Sequence, residues 1–182
     1  MSKRVIMACL VLAGCSQQPQ PQGQQDAATN NPLGLKMDER SAVGACMTPE
    51  EERTPIEQIA PERQRAMIGC IQNQAAAQIQ PQLPQQVDPM TRLTDVTAED
   101  TMLTYHQTVD VDAATVTPAM TSQLETRVRT AVCGQPQMRG TIDLGGGYGY
   151  RWSDKNGQPI HAVQIASCSG AGAAPAPGAV RP

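Results

Sequence analysis

The chain has 182 residues, no phenylalanine, three tyrosines and one tryptophan, and its 17 acidic side chains outnumber 14 basic ones for a net charge of -3. That balance argues against a nucleic-acid partner, because such binding runs on clustered basic residues that neutralise phosphate, and it supplies no polybasic patch for an anionic membrane surface. The length suits one domain with tails.

Lys3 and Arg4 precede an uninterrupted apolar run from Val5 to Ala13, the pattern of a secretory signal peptide. The run is too short to span a bilayer, which takes about 20 apolar residues. At its end, Leu12-Ala13-Gly14-Cys15 resembles the lipobox of bacterial lipoproteins. The resemblance implies that residues 1–14 are removed, that the Cys15 thiol carries a diacylglyceryl group, and that the new amine is acylated. Each buried acyl methylene contributes about 0.8 kcal/mol and stable anchoring takes more than one chain, so a multiply acylated Cys15 makes the membrane a partner. Ser16 after the cysteine resembles the outer-membrane sorting class, which implies the periplasmic face of that membrane. Cys9 falls within the discarded segment. Without Lys3 and Arg4 the chain keeps 12 basic against 17 acidic residues, a net charge of -5.

From Ser16 to about Leu35 the sequence is Gln/Pro-rich and almost devoid of apolar residues before Leu33, a composition that cannot offset chain entropy by burial. We read 15–40 as a tether. Treated as a flexible coil, about 20 residues reach roughly 25 Å root-mean-square. The closing "SGAGAAPAPGAVRP", 169–182, reads as a disordered tail.

Thr48-Pro49-Glu50-Glu51 and Thr54-Pro55-Ile56-Glu57 each match a helix start, with Thr as cap, Pro in the first turn and Glu three after the cap. From Pro61 to Ile79, Met67, Cys70, Ile71, Ala75 and Ile79 recur at helical spacing. These make a helical segment over 41–82, ended by Pro81, Pro84 and Pro89. The period then changes. Arg92 to Thr97 and Met102 to Val111 read as strands with a turn at Glu99 and Asp100; in the second, Leu103, Tyr105, Val109 and Val111 share one face and Thr104, His106, Thr108 and Asp110 the other. Thr117-Pro118 opens a helix with the stripe Met120, Leu124, Val128, Ala131 and Val132, and Gly134 is placed to cap it. Pro136 starts a shorter helix that stops at Gly145. Two strands joined at Asp154-Lys155-Asn156-Gly157 close the domain; the first puts Tyr148, Tyr150 and Trp152 on one face, and the second runs from Ile160 to Ser167.

Four cysteines remain in the exported chain: Cys46, Cys70, Cys133 and Cys168. An even number in an oxidising compartment reads as two disulfides with three possible pairings. The pairing of 46 with 70 and 133 with 168 is favoured because each bridge then staples a locally coherent segment. On the loop-entropy model each bridge contributes about 3.5 to 4 kcal/mol. No C-x-x-C or H-x-x-x-H spacing supports a metal site. The element order predicts an α+β fold, a small antiparallel sheet with helices packed on one face and disulfide-stapled, over 83–168.

The segments "LPQQVDPMTRLTDV", "LTYHQTVDVDA" and "AVCGQPQMRGTIDLGGGYGYRWSDKNGQPI", with Cys168, resemble a group of small exported bacterial envelope proteins of uncharacterised function. The shared features are a D-x-x-T-R-L strand, an L-T-Y strand, a V-C-x-x-P turn, an aromatic strand ending in D-x-x-G, and a terminal cysteine. The resemblance spans about Leu83 to Cys168; it implies the closing disulfide and the α+β fold, and no activity.

The chemical candidates each have a plainer reading. The glycines of "GGGYGYRW" precede a strand instead of joining a strand to a helix N-terminus, so they do not form a phosphate loop; they release the chain from the short helix and let Gly149 pack closely. An aromatic nucleic-acid platform is opposed by the charge. His106 and His161 form no pair with a nucleophile in any recognisable spacing, and each reads as a surface histidine. Asp110 with Asp112, and Asp154 with Asn156, are explained by turn chemistry, since the further ligands of a calcium loop are missing. No catalytic residue, cofactor or metal is assigned. The sequence therefore reads as a lipid-anchored envelope protein with a non-catalytic accessory or protein-binding role and an unidentified envelope protein as partner. A small periplasmic hydrolase and an inhibitor of a lytic enzyme are the alternatives.

Overall fold

The computed structural model describes residues 38–169. Cys15, the lipobox and the Gln/Pro segment lie outside the described residues, as does the tail from residue 170. Among the described residues no helix is long and apolar enough to cross a membrane.

Two helices come first. Helix α1, Glu39–Cys46, starts where the Asp38 carboxylate accepts the backbone N–H of Ser41. Helix α2, Pro61–Ile79, begins with proline at its first turn, where the missing N–H costs nothing. The two run antiparallel and are tied at both ends: Asp38 exchanges hydrogen bonds with the Gln78 amide, and a disulfide joins Cys46 to Cys70. The predicted helix starts at Thr48 and Thr54 become only single turns of 3-10 helix, Glu51–Arg53 and Ile56–Gln58. The capping box at Thr48 does form, with Thr48 N–H on Glu51 Oε2 and Glu51 N–H on Thr48 Oγ1. Thr54 and Ala60, however, each precede a proline, which drives both into extended backbone and stops the turn. Glu51 instead grips the Arg63 guanidinium, whose Nη2 also donates to the Cys46 carbonyl.

The sheet follows in the order β1-β2-β3-β4-β5: Gln85–Asp88, Thr91–Glu99, Met102–Val109, Gly147–Asp154 and Pro159–Ile165. Neighbours are antiparallel except β3 and β4, which are parallel. A parallel pair needs a crossover of a dozen or more residues; here helices α3, Pro118–Gly134, and α4, Pro136–Asp143, supply it. The α+β class expected from the element order is the one the structure has, with this one parallel pair in an otherwise antiparallel sheet.

One face of the sheet builds the core. Leu93, Val96, Leu103, Tyr105, Tyr148, Tyr150, Trp152, Val163 and Ile165 are buried with Ala76 and Ile79 of α2, Val132 of α3 and Ile142 of α4. Leu93 and Val96 are three residues apart, which strict alternation would send to opposite faces. A bulge between Leu93 and Asp95 absorbs the extra residue and turns both inward. The buried residues of α2 are Met67, Ile68, Gln72, Ala76 and Ile79; Met67 and Ile79 are as predicted, while Ile68, Gln72 and Ala76 take the places expected of Cys70, Ile71 and Ala75, so that Cys70 reaches sideways to α1. On α3, Met120 is 51% exposed instead of joining the stripe, because the first turn of α3 projects past the core. A second disulfide, Cys133 to Cys168, ties the end of α3 to the chain leaving β5.

Two outcomes follow from this packing. A Cβ at Gly69 of α2 would lie 2.7 Å from the Asp100 carbonyl oxygen in the β2–β3 turn, whereas one at Gly140 of α4 would meet nothing within 4 Å. Gly140→Ala should therefore gain about 0.5 to 1 kcal/mol of helix propensity, while Gly69→Ala should lose stability despite the same propensity gain; urea titration of both variants reads the opposite signs. The hydrogen bonds from Arg63 and from Thr48 N–H hold the Glu51 carboxyl at about 2 instead of 4.5. A depressed folded value means the contribution is fully present above pH 4.5 and lost as pH falls towards 2. The stability difference between the natural chain and Glu51→Gln should shrink over that window.

Candidate functional site

The most ordered chemistry on the core face is a row of stacked rings. Tyr105 of β3 and Tyr150 of β4 are direct cross-strand partners with ring centroids 5.2 Å apart; Trp152 stacks on Tyr150 at 5.8 Å, and His161 of β5 stacks on Trp152 at 6.2 Å. Period-two alternation puts Tyr150 and Trp152 on the same side of β4, and pairing with β3 and β5 brings the other rings alongside. Burial, reinforced by the neighbouring tyrosines, pushes the Tyr105 and Tyr150 phenols above the ordinary tyrosine value, so both stay neutral. The Trp152 indole N–H donates to Gln107 Oε1 at 2.6 Å, which satisfies a buried donor with a buried acceptor.

His161 was expected at the surface. Its side chain is instead only 26% exposed, on the core face at the end of the ring row. Its Nε2 is cut off from solvent without a hydrogen-bond partner, and Glu125 Oε2 of α3 lies 3.7 Å away. The other oxygen of Glu125 is 3.5 Å from Arg129 Nη2, and Arg129 Nη1 donates to the Ser167 carbonyl. The period-two run His161, Val163, Ile165 already carried the signal that placed the histidine inward, and Glu125 with Arg129 is an ordinary i,i+4 pair.

The opposite face of the sheet is polar and carries His106. Its Nε2 pairs with Thr97 Oγ1 at 3.0 Å. Thr108 and Ser153 meet at 3.5 Å, and Arg151 stands exposed beside them. Gly149 lies flat beneath Thr104, whose Oγ1 would be 2.5 Å from any Cβ there, so the glycine does admit a close approach. Gly145 takes a φ of +90° where the chain leaves α4.

The two histidines thus lie on opposite faces. His161 has a carboxylate in range and no hydroxyl; His106 has a hydroxyl and no carboxylate partner among the described residues. Neither assembles the acid, base and nucleophile of a hydrolase. Asp110 and Asp112 separate into different local roles: Asp110 N–H bonds the Met90 carbonyl, and the Asp112 carboxylate caps the turn at Ala114. Asp154 is 2% exposed and its carboxylate accepts the N–H groups of Asn156, Gln158 and Ala113, joining the β4–β5 loop to the start of the crossover. Burial opposes its ionisation, but these amides outweigh it and hold the carboxyl below the ordinary value. Among the described residues no group of three or more His, Cys, Asp or Glu is placed to hold a metal ion.

Removing the indole deletes the centre of the ring row and strands Gln107 in the core. Trp152→Ala should cost about 3 to 5 kcal/mol, whereas His106→Ala on the polar face should stay within about 0.5 kcal/mol. Urea titration decides, and a larger loss in the histidine variant would invert the faces.

No protein-family model matches the chain, and no curated protein matches it in sequence. Among solved structures, the fold is similar to the pilotin EpsS of the Vibrio vulnificus type 2 secretion system, with TM-score 0.51 and 15% identity over 59% of this chain and 94% of that one. A protein of Pseudomonas aeruginosa is similar at TM-score 0.50 and 16% identity, over 56% of this chain and 91% of its own. The type II secretion pilotin AspS of Vibrio cholerae aligns at TM-score 0.48 and 16% identity, over 57% and 93%. At these identities the likeness concerns the fold.

Proposed function

We propose that this chain is a lipid-anchored envelope protein, held through acylated Cys15 at the periplasmic face of the outer membrane, whose α+β domain has a non-catalytic accessory role. Its partner is a protein component of an envelope secretion assembly. The observation that carries the reading is the fold shared with the pilotin EpsS over 94% of that chain. Fold by itself does not transmit function, so the reading also draws on the sequence. Leu12-Ala13-Gly14-Cys15 supplies an anchoring signal, and the Gln/Pro segment gives a domain tied to a membrane room to reach a partner.

Crosslinking in intact envelopes followed by purification of this chain should recover a secretion-assembly protein; recovery of cell-wall enzymes instead would favour the inhibitor alternative. Replacing the acylated residue, Cys15→Ser, should abolish fatty-acid labelling and shift the domain from the membrane fraction to a soluble exported form or an uncleaved precursor. Membrane retention with a cleaved signal would remove the anchor from the proposal.

A further inference from the structure

The place where α3 lies on β5 is held by two different kinds of tie. At the helix end the link is covalent, Cys133 to Cys168, and Arg129 adds a hydrogen bond to the Ser167 carbonyl. One to two turns earlier the tie is incomplete. His161 Nε2 is shut off from solvent with no hydrogen-bond partner, and Glu125 Oε2 stands 3.7 Å off, beyond hydrogen-bond range. A buried polar atom without a partner is costly, so the gap needs an explanation.

The neutral ring cannot close it well. With the proton on Nδ1, the Nε2 lone pair faces a carboxylate and repels it; with the proton on Nε2, the bond is a neutral donor reaching across too long a distance. The imidazolium donates from both nitrogens and adds an attraction of opposite charges, and its face already lies on Trp152, where a cation is favoured by the indole ring. The other charged groups around it are accounted for. From α3, Glu125 faces it through Oε2 and Arg129 holds the other carboxylate oxygen. From β4, Arg151 is on the opposite face and Asp154 is engaged by backbone amides. Strand β5 has no other charged side chain, and on α4 Arg139 pairs with Asp143.

We propose that His161 and Glu125 form a proton-operated latch between β5 and α3: protonating His161 draws Glu125 across the gap and clamps the middle of α3 onto the ring row, and deprotonation releases it. Acid closes the latch because only the charged ring adds the attraction of opposite charges to the Nε2–H donor. Histidine is the residue type suited to such a change near neutrality. The disulfide keeps the helix end fixed in both states, so the movement is confined to the part of α3 before Val132. The latch acts whatever partner the domain binds.

Trp152 is the only tryptophan, so its emission reports the ring stacked on it. The experiment follows Trp152 emission and the backbone amide shifts of Ser122 to Arg129 between pH 8 and pH 5, on the full chain in detergent. Both readouts should show one transition with a common midpoint. Glu125→Gln should uncouple the α3 amides from the transition, because the charged ring then has no opposite charge to draw across. His161→Gln should abolish the transition, and His106→Gln should leave it in place. α3 amides that still follow the transition in Glu125→Gln, α3 amides that ignore it in the natural chain, or its loss in His106→Gln would each overturn the latch. Glu125 is half-exposed, so its variant decides the matter even if His161→Gln fails to fold.

Discussion

The parallel pairing of β3 with β4 sets Tyr105 against Tyr150 and Gln107 against Trp152, and most of the remaining architecture is arranged around it. All four aromatic residues of the chain lie on these two central strands and on one face. A chain with no phenylalanine has few large apolar groups to spend, and concentrating them in the middle of the sheet lets each ring bury against another. Parallel strands cannot be joined by a tight turn, so the connection must climb over the sheet. That crossover is α3 and α4, and its passage covers the rings.

The two disulfides complete what a small core leaves weak. Domains of this size bury a modest fraction of their surface, and here the bridges hold helix to helix and helix to sheet instead of strand to strand. Cys46–Cys70 acts with the Glu51–Arg63 pair and the Asp38–Gln78 hydrogen bonds to fasten α1, which otherwise buries little beyond Ala42 and Cys46. Cys133–Cys168 fixes one end of the crossover. The other end is secured by Asp154, whose carboxylate gathers amides from the β4–β5 loop and from Ala113 before α3.

The consequence for function is a domain with two unlike surfaces. The helical side presents α3 over the ring row, with the underpaired His161 at its margin. The bare side of the sheet is a polar array of hydroxyls with His106 and Arg151.

Local chemistry in the chain settled a good deal. Thr117-Pro118 and Pro61 start helices because proline in the first turn loses no hydrogen bond, and Gly145 and Asp154 to Gly157 mark turns, so α2, α3, α4, β3, β4, β5 and most of β2 were legible together with the α+β class. Two elements were not. Strand β1, "QQVD", has no apolar alternation and exists only because β2 offers it a partner; α1 is eight residues long, too short to be stable without the Cys46 and Gln78 ties. The parallel register, the bulge that turns both Leu93 and Val96 inward, and the placing of His161 beside Trp152 and Glu125 belong to the tertiary structure alone. Each depends on which strand lies next to which: the bulge and the seat of His161 are set by hairpin partners, and the pairing of Tyr105 with Tyr150, 45 residues on, is decided by the burial of the whole face, not by the preferences of either segment.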